Sequence, residues 1–272
     1  MSKSILVIGA TGKQGLAVVK QLLEDGWNVR AFTRDKDNEK LTSIQNDKLE
    51  IFEGNLGDPE SIARAMENQY GVYSVQPIIR DNVEEELHQG QMIIEEAEDA
   101  GIHFVVYSTA GGVNRDRTGP HFEALAKIED TLKASRLNYA IIKPSFFMDN
   151  FLRIVKEQGG RLIIPEFIDP TIRFAMISSI DIARIAAEIF AHPKKYNHEE
   201  IEIASDELML NEVVAEFVEA TGKPATIEGD FVSGAAERSW LEDYGYVVDF
   251  DQMDDINPQR LKLRDWIRLQ NF

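Results

Sequence analysis

The chain has 272 residues, no cysteine and a formal net charge of −18. That length supports a sizeable core, in one large domain or a large and a small one, and the lack of cysteine excludes disulfides, thiolate metal sites and cysteine nucleophiles. The charge excludes non-specific binding to DNA or RNA, whose phosphates it would repel; no apolar run approaches a membrane span or a signal-peptide core, so a cytoplasmic chain without membrane contact is expected.

The first element is an apolar run, residues 5–10, that ends in glycines spaced G-x-x-G-x-x-G (Gly9, Gly12, Gly15). A helical pattern begins at once with Leu16, Val18, Val19, Leu22 and Leu23. A strand, a tight turn and a helix start are thus predicted, and the unpaired N–H groups and dipole of such a helix start bind phosphate. Gly9 allows the sharp turn, Gly12 lets backbone approach a pyrophosphate, and Gly15 lets the helix lie close to the strand. Thr11, Lys13 and Gln14 complete the candidate cofactor loop. The alternative is an ordinary strand-to-helix turn; its position at the first strand favours a dinucleotide.

The second strand follows Gly26 and closes on Thr33, Arg34 and Asp35. An NAD site usually has a carboxylate at that strand end, on the ribose 2′-hydroxyl. Arg34 stands there, and a guanidinium suits a 2′-phosphate, so NADP is expected, with Lys13 as a second positive charge. In the alternative, Asp35 holds the ribose and the cofactor is NAD.

Residues 48–53 read as a third strand, and Asp58 caps a helix with Pro59 at its first position, running to about residue 67. Residues 71–76 form a fourth strand, closed by Pro77; Tyr73 and Gln76 lie near its end, where a cofactor passes. Residues 82–100 make a long amphipathic helix with a solvated acidic face. Residues 104–108 and 139–143 are the fifth and sixth strands, the latter stopped by Pro144. Beyond it, Phe146, Phe147 and Met148 are candidates to flank a nicotinamide and an apolar acceptor. A helix over residues 179–191 and a strand over 200–204 return to the sheet. Residues 211–272 hold one clear helix and the aromatics Trp240, Tyr244, Tyr246, Phe250 and Trp266, expected as a small second core.

The alternation of strand and helix predicts an α/β, doubly wound parallel-sheet Rossmann fold. Residues 1–152 form the nucleotide-binding domain and 153–272 a smaller C-terminal α/β substrate domain, with about 177–204 rejoining the core. The C-terminal part is expected to roof a cleft beyond the strand ends. The five histidines are scattered, and no metal site is expected.

Taken in order, the Gly-Ala-Thr-Gly-Lys-Gln-Gly turn, Arg34, Asn55-Leu56 with Asp58-Pro59, and the stretch from Pro144 through Asn150 resemble the NmrA-like family, atypical short-chain dehydrogenases/reductases, over essentially the whole chain. The resemblance implies an NADP-binding Rossmann domain in which Asn55, Leu56, Gln76, Pro77, Pro144 and Phe147 approach the cofactor. It implies two outcomes: an NADPH-dependent reductase of a quinone or related compound, or a redox sensor that binds cofactor and a protein partner without turnover.

The wider superfamily uses a Ser or Thr after the fifth strand and a Tyr-x-x-x-Lys on the next helix. Ser108 matches the first and Lys127 the lysine, while Glu123 stands at the tyrosine position. A carboxylate is ionised at neutral pH and does not replace a phenol as proton donor. By the resemblance Lys127 binds the nicotinamide ribose or donates a proton; otherwise it is a surface lysine paired with Glu123 at i,i+4. Ser108 is a site hydroxyl or a strand-end cap, and His121 is a further candidate donor because imidazole titrates near neutrality. Two readings stand: an NADPH-dependent reductase of a small quinone-like or conjugated acceptor, and a non-catalytic NADP(H) sensor whose acidic surface docks a partner. A monomer and a homodimer are both compatible with the sequence.

Overall fold

The structure, a computed structural model, describes residues 3–79, 81–115, 119–230 and 235–272. Strands and helices alternate first: β1 (Ser4–Val7), α1 (Lys13–Glu24), β2 (Asn28–Thr33), α2 (Glu39–Thr42), β3 (Leu49–Glu53), α3 (Pro59–Met66), β4 (Gly71–Val75), α4 (Val83–Asp99), β5 (Phe104–Ser108), α5 (Pro120–Ala134) and β6 (Tyr139–Pro144). Then come β7 (Phe146–Phe147), α6 (Phe151–Ile154), β8 (Lys156–Gln158), β9 (Arg161–Glu166), β10 (Arg173–Ile177), α7 (Ser179–Ala191), β11 (Glu199–Ile203), β12 (Asp206–Met209), α8 (Leu210–Thr221), β13 (Ala225–Asp230), α9 (Ala235–Asp243), α10 (Phe250–Ile256) and α11 (Leu263–Arg268).

The main sheet has seven parallel strands in the order β11-β6-β5-β4-β1-β2-β3. Both faces of the central strands β1, β4, β5 and β6 are covered, so these are buried almost throughout, whereas β2, β3 and β11 toward the edges keep polar positions such as Arg30, Glu50 and Glu202. In β1, Ile5 and Val7 pack under α1 and α7 with Val18, Val19, Leu22, Ile182, Ile185 and Ile189. Leu6 and the following Ile8 point the other way, onto α3, α4 and α5 with Ile62, Met92, Ile93, Ile128 and Leu132. Each such fully buried aliphatic side chain contributes about 1.5–3 kcal/mol. The chain reverses winding direction between β1 and β4, and the crevice at that reversal is where a doubly wound sheet binds ligands.

Two small sheets, β12-β10-β7 and β13-β9-β8, build the roof. β8 and β9 form an antiparallel hairpin over Gly159 and Gly160, whose φ of 58° and 76° admit the turn. The roof has its own core around Phe151, whose ring meets Phe146, Phe167, Phe217 and Trp266. The expected aromatic cluster divides. Trp240 and Trp266 enter this core with Tyr246 beside them, whereas Phe250 packs on the main core and Tyr244 is exposed. Met148 is fully buried in the roof core and does not border the cleft.

Roof and sheet are joined by a buried carboxylate. Asp181, at the start of α7, accepts hydrogen bonds from Ser178 Oγ, Ser205 Oγ, Asn257 Nδ2 and Leu261 N at 2.6–2.9 Å and pairs with Arg184. A buried charge is tolerated only when it is satisfied in this way.

A second network faces solvent beside β6 and β11. Glu200 lies 2.6 Å from Lys133 and 2.7 Å from Lys143. Burial raises the Glu200 carboxyl, but the hydrogen bonds and charges of the two lysines outweigh it and hold the group below the usual carboxylate range. A depressed folded-state value contributes stability above the unfolded value, and that contribution is lost as pH falls through the folded value. Glu200→Gln is therefore expected to lower the denaturant midpoint at neutral pH, and the difference from wild type to shrink as the pH falls below the ordinary ~4.3 and to vanish below the folded-state value. Parallel denaturation curves at neutral pH and in acid check it.

Candidate functional site

The C-terminal ends of β1, β2, β4, β5 and β6 open into a cleft of about 1230 Å³ under the roof. At its floor Gly9 holds φ at 76°, and Gly12 N–H bonds back to Gly9 O at 2.9 Å. A Cβ on Gly15 would lie 2.2 Å from Gly9 O, so α1 rests on the turn only because that residue is glycine. Gly12 caps α1 without a side-chain bond, and no acidic residue occupies the first turn. The helix start thus offers uncompensated donors to the cleft.

The cleft is lined by Gly9, Thr11, Gly12, Lys13, Gln14, Gly15, Arg34, Asn55, Leu56, Gln76, Pro77, Ser108, His121, Pro144 and Phe147, all singled out from sequence. Their side chains do not all point as expected. Gln14 accepts a bond from the buried Tyr73 hydroxyl at 2.7 Å, so its side-chain oxygen anchors α1 to β4 and is not free for the cleft. Burial pushes the Tyr73 phenol up, which keeps it a donor. Lys13 crosses the cleft to Asp149 O at 3.0 Å and is committed to the roof rather than to the neighbourhood of Arg34. The ammonium that does reach this side of the loop is Lys40 of α2, bonded to Thr11 O at 2.9 Å, which the sequence reading missed because α2 has only four residues. Asp35 is turned away: its carboxylate accepts from Asp37 N at 3.0 Å. Asn55 Oδ1 closes a turn on Gly57 N, and Asp58 caps α3 as read from sequence.

At the ends of β4, β5 and β6 sit four buried oxygens without a hydrogen bond to any described residue: Gln76 Oε1, Ser108 Oγ, Thr109 Oγ1 and Ser145 Oγ. Ser108 adjoins the Tyr73 phenol, whose proton goes to Gln14 and whose oxygen is left open to the serine proton. A buried polar atom left unpaired costs about 1–3 kcal/mol, so this cluster marks the seat of a polar ligand group. Beyond it the cleft becomes apolar, between Phe122, Phe146, Phe147, Ile154, Phe167 and Tyr246. Phe146 and Phe167 stack at 5.1 Å with ring planes 3° apart. Arg238 at this end is neutralised by Glu166 and Glu242 at 2.9 and 2.8 Å.

Lys127 stands apart from the cleft. It is exposed and does not line the cleft, and Glu123 is exposed beside it. The cleft side of α5 carries His121, Phe122 and Leu125. With 3.6 residues per turn, position 127 lies about 200° around the axis from position 125, on the far side. The helix pair that faces the cleft at i,i+4 is His121 and Leu125, so neither the tyrosine nor the lysine of the superfamily pattern is present there. Lys127→Ala is expected to leave dinucleotide affinity unchanged, and a tenfold loss by calorimetric titration would contradict this orientation.

His121 has a partner that sequence reading did not find. Its Nδ1 lies 2.8 Å from Oε1 of Glu86, a side chain with 0% exposure in the first turn of α4. Glu86 Oε2 in turn accepts from Ile79 N at 3.2 Å. Burial, and then the negative charges of Glu129 and Glu86, push the Tyr107 phenol well above its usual range; that side chain lies on the opposite sheet face from the loop, among α3, α4 and α5. Among the described residues no cluster of three or more His, Asp or Glu could hold a metal, and no helix is long and apolar enough to cross a membrane.

Residues 1–253 match the sequence model of the NmrA-like family. An NAD(P)H azoreductase of Xenophilus azovorans is 27% identical over 225 residues, covering 81% of this chain and 74% of its own. Among solved structures, the negative transcriptional regulator NmrA in complex with NADP superposes with a TM-score of 0.82 at 16% identity, over 98% of this chain and 94% of its own. The triphenylmethane reductase of Citrobacter sp., complexed with NADP(H), gives 0.79 at 16% identity, over 98% and 99%.

Proposed function

The chain belongs to the NmrA-like family, and from that premise we propose that it is an NADPH-dependent oxidoreductase of a small, conjugated acceptor of the quinone or azo type. The single observation that carries the reading is the shape of the cleft. Ordinary small-molecule sites occupy about 300–1,000 Å³. The 1230 Å³ here exceed that range and continue past the glycine turn into the aromatic pocket of Phe122, Phe146, Phe147 and Phe167. A dinucleotide and a flat second molecule fit end to end.

The residues present suit the cofactor. The uncapped start of α1 with Gly9 and Gly12 receives the pyrophosphate. Arg34, which no described carboxylate pairs, and Lys40 receive the 2′-phosphate. Asp35, engaged on Asp37 N, is not turned to a ribose hydroxyl, which favours NADP over NAD. Gln76 Oε1, Ser108 Oγ, Thr109 Oγ1 and Ser145 Oγ receive the carboxamide and ribose of the nicotinamide end. Bound in its reduced form, the cofactor supplies hydride. The chain's own part is to hold the acceptor against that ring, exclude water with the roof aromatics and deliver a proton.

The azoreductase relative supports the acceptor class, since an azo bond, like a quinone, is conjugated, planar and able to take two electrons. Mixing the protein with NADPH and a panel of quinones and azo dyes, while following nicotinamide absorbance, tests the reading. Sustained loss of absorbance is expected. Tight NADPH binding with no turnover on any acceptor would overturn it in favour of a cofactor sensor.

A further inference from the structure

We propose that His121 is the proton donor to the acceptor and that Glu86 is its positioning residue, a relay built where the superfamily's tyrosine and lysine are missing. The proposal rests on the reductase reading and adds the source of its proton.

Four observations converge on the pair. His121 lines the cleft in the first turn of α5, beside Phe122 and one turn before Leu125, which line it too. His121 Nδ1 lies 2.8 Å from Glu86 Oε1, and Glu86 is wholly buried. Neither Glu86 Oε1 nor His121 Nδ1 has a described partner in hydrogen-bonding geometry, and at 2.8 Å each is the polar group that faces the other. Its other oxygen is fixed by Ile79 N, and its place in the first turn of α4 puts the carboxylate at the positive end of a helix. A wholly buried carboxylate facing an imidazole edge is costly unless that edge carries a proton. Nδ1 is thereby assigned the proton, and Nε2, which no described group engages, is the nitrogen left for the cleft.

The step balances as follows for an azo acceptor. One nitrogen of the N=N bond gains hydrogen and an electron pair from the reduced dihydronicotinamide, which is oxidised. The π pair of the N=N bond moves to the second nitrogen, which takes the Nε2 proton of the His121 imidazolium, giving the hydrazine. The histidine is left neutral as the Nδ1–H tautomer, with that edge facing Glu86, and solvent restores the Nε2 proton.

A cationic triarylmethane dye gives the contrast, because its central carbon takes hydride alone and becomes neutral with no proton. His121→Gln is expected to lower kcat with the azo dye by about a hundredfold, within the range of general acid catalysis, and Glu86→Gln to lower it less. Neither is expected to change kcat with the triarylmethane dye. A structural role would lower both alike, and equal losses, or no loss with the azo dye, overturn the relay. A wild-type protein that reduces neither dye contradicts the reductase reading and the relay with it. Nitrogen NMR of histidine-labelled protein without cofactor gives a reading independent of turnover. Neutral His121 is expected as the Nδ1–H tautomer in wild type and as Nε2–H in Glu86→Leu; an Nε2–H tautomer in wild type overturns the assignment of Glu86.

Discussion

Gly12→Ala is expected to lower dinucleotide affinity by about five- to 150-fold, the roughly 1–3 kcal/mol of an overpacked contact, with the stability of the cofactor-free protein unchanged. Gly12 has φ −74° and ψ 166°, which any residue adopts, and a Cβ there would meet only Gly9 O, at 3.2 Å, with cleft space beyond. The N-cap preference for glycine over alanine and the lower unfolded-state entropy of alanine act oppositely, each at about 1 kcal/mol or less. Gly15→Ala separates from it. Its Cβ would strike backbone on three sides, Gly9 O at 2.2 Å, Gly9 C at 2.6 Å and Ala10 Cα at 3.1 Å, so stability and binding should fall together. Thermal melts with calorimetric NADPH titrations distinguish the two. Full affinity in Gly12→Ala would contradict the seating of pyrophosphate on this turn.

Arg34→Ala is expected to weaken NADPH by about ten- to 150-fold, the loss of charge-assisted hydrogen bonds worth roughly 1.5–3 kcal/mol, and to leave NADH affinity unchanged. The selectivity follows from position: Arg34 lines the cleft at the end of β2, while Asp35 is engaged on Asp37 N. Lys40 keeps part of the attraction, so the double variant with Lys40→Ala should lose more. Equal losses for both cofactors would mean that Arg34 acts on something common to them, and the 2′-phosphate assignment would fail.

The fold was legible where a single physical rule governs a long segment. Buried parallel strands read as continuous apolar runs, and Asp58 with Pro59 marks the start of α3 because a side-chain oxygen and a missing N–H both suit that place. The glycine turn was legible for a similar reason: Gly15 is dictated by backbone contact at 2.2 Å. The small roof strands were not, since β7, β8 and β12 have two to four residues and are set by tertiary pairing. The aromatic tail was misread in part because hydropathy does not say which core a side chain enters; Phe250 joins the main core and Tyr244 joins none.

The site was legible along the strand ends and illegible across elements. Lys127 illustrates the limit: spacing within a motif fixes relative positions on a helix but not its rotation about its axis, which packing of Ile128 and Leu132 against the sheet decides. Glu86 carried no signal, one glutamate among several on a helix that reads as a solvated acidic face, and only the packing of α4 against α5 reveals that it is buried beside His121. Lys40 is joined to the glycine loop by a contact spanning 29 residues, and Phe167 and Tyr246 reach the cleft from the roof.

The central claim is that the cleft couples a seated NADPH to reduction of a molecule in its aromatic end, and a single-turnover experiment tests it most directly. The protein is loaded with one equivalent of NADPH and mixed rapidly with an azo or quinone acceptor while both absorbances are followed. Loss of the nicotinamide signal in step with loss of the acceptor signal, one for one and repeatable on reloading, is the expected result. NADPH that calorimetry shows to be bound but that stays reduced through every acceptor would contradict the account.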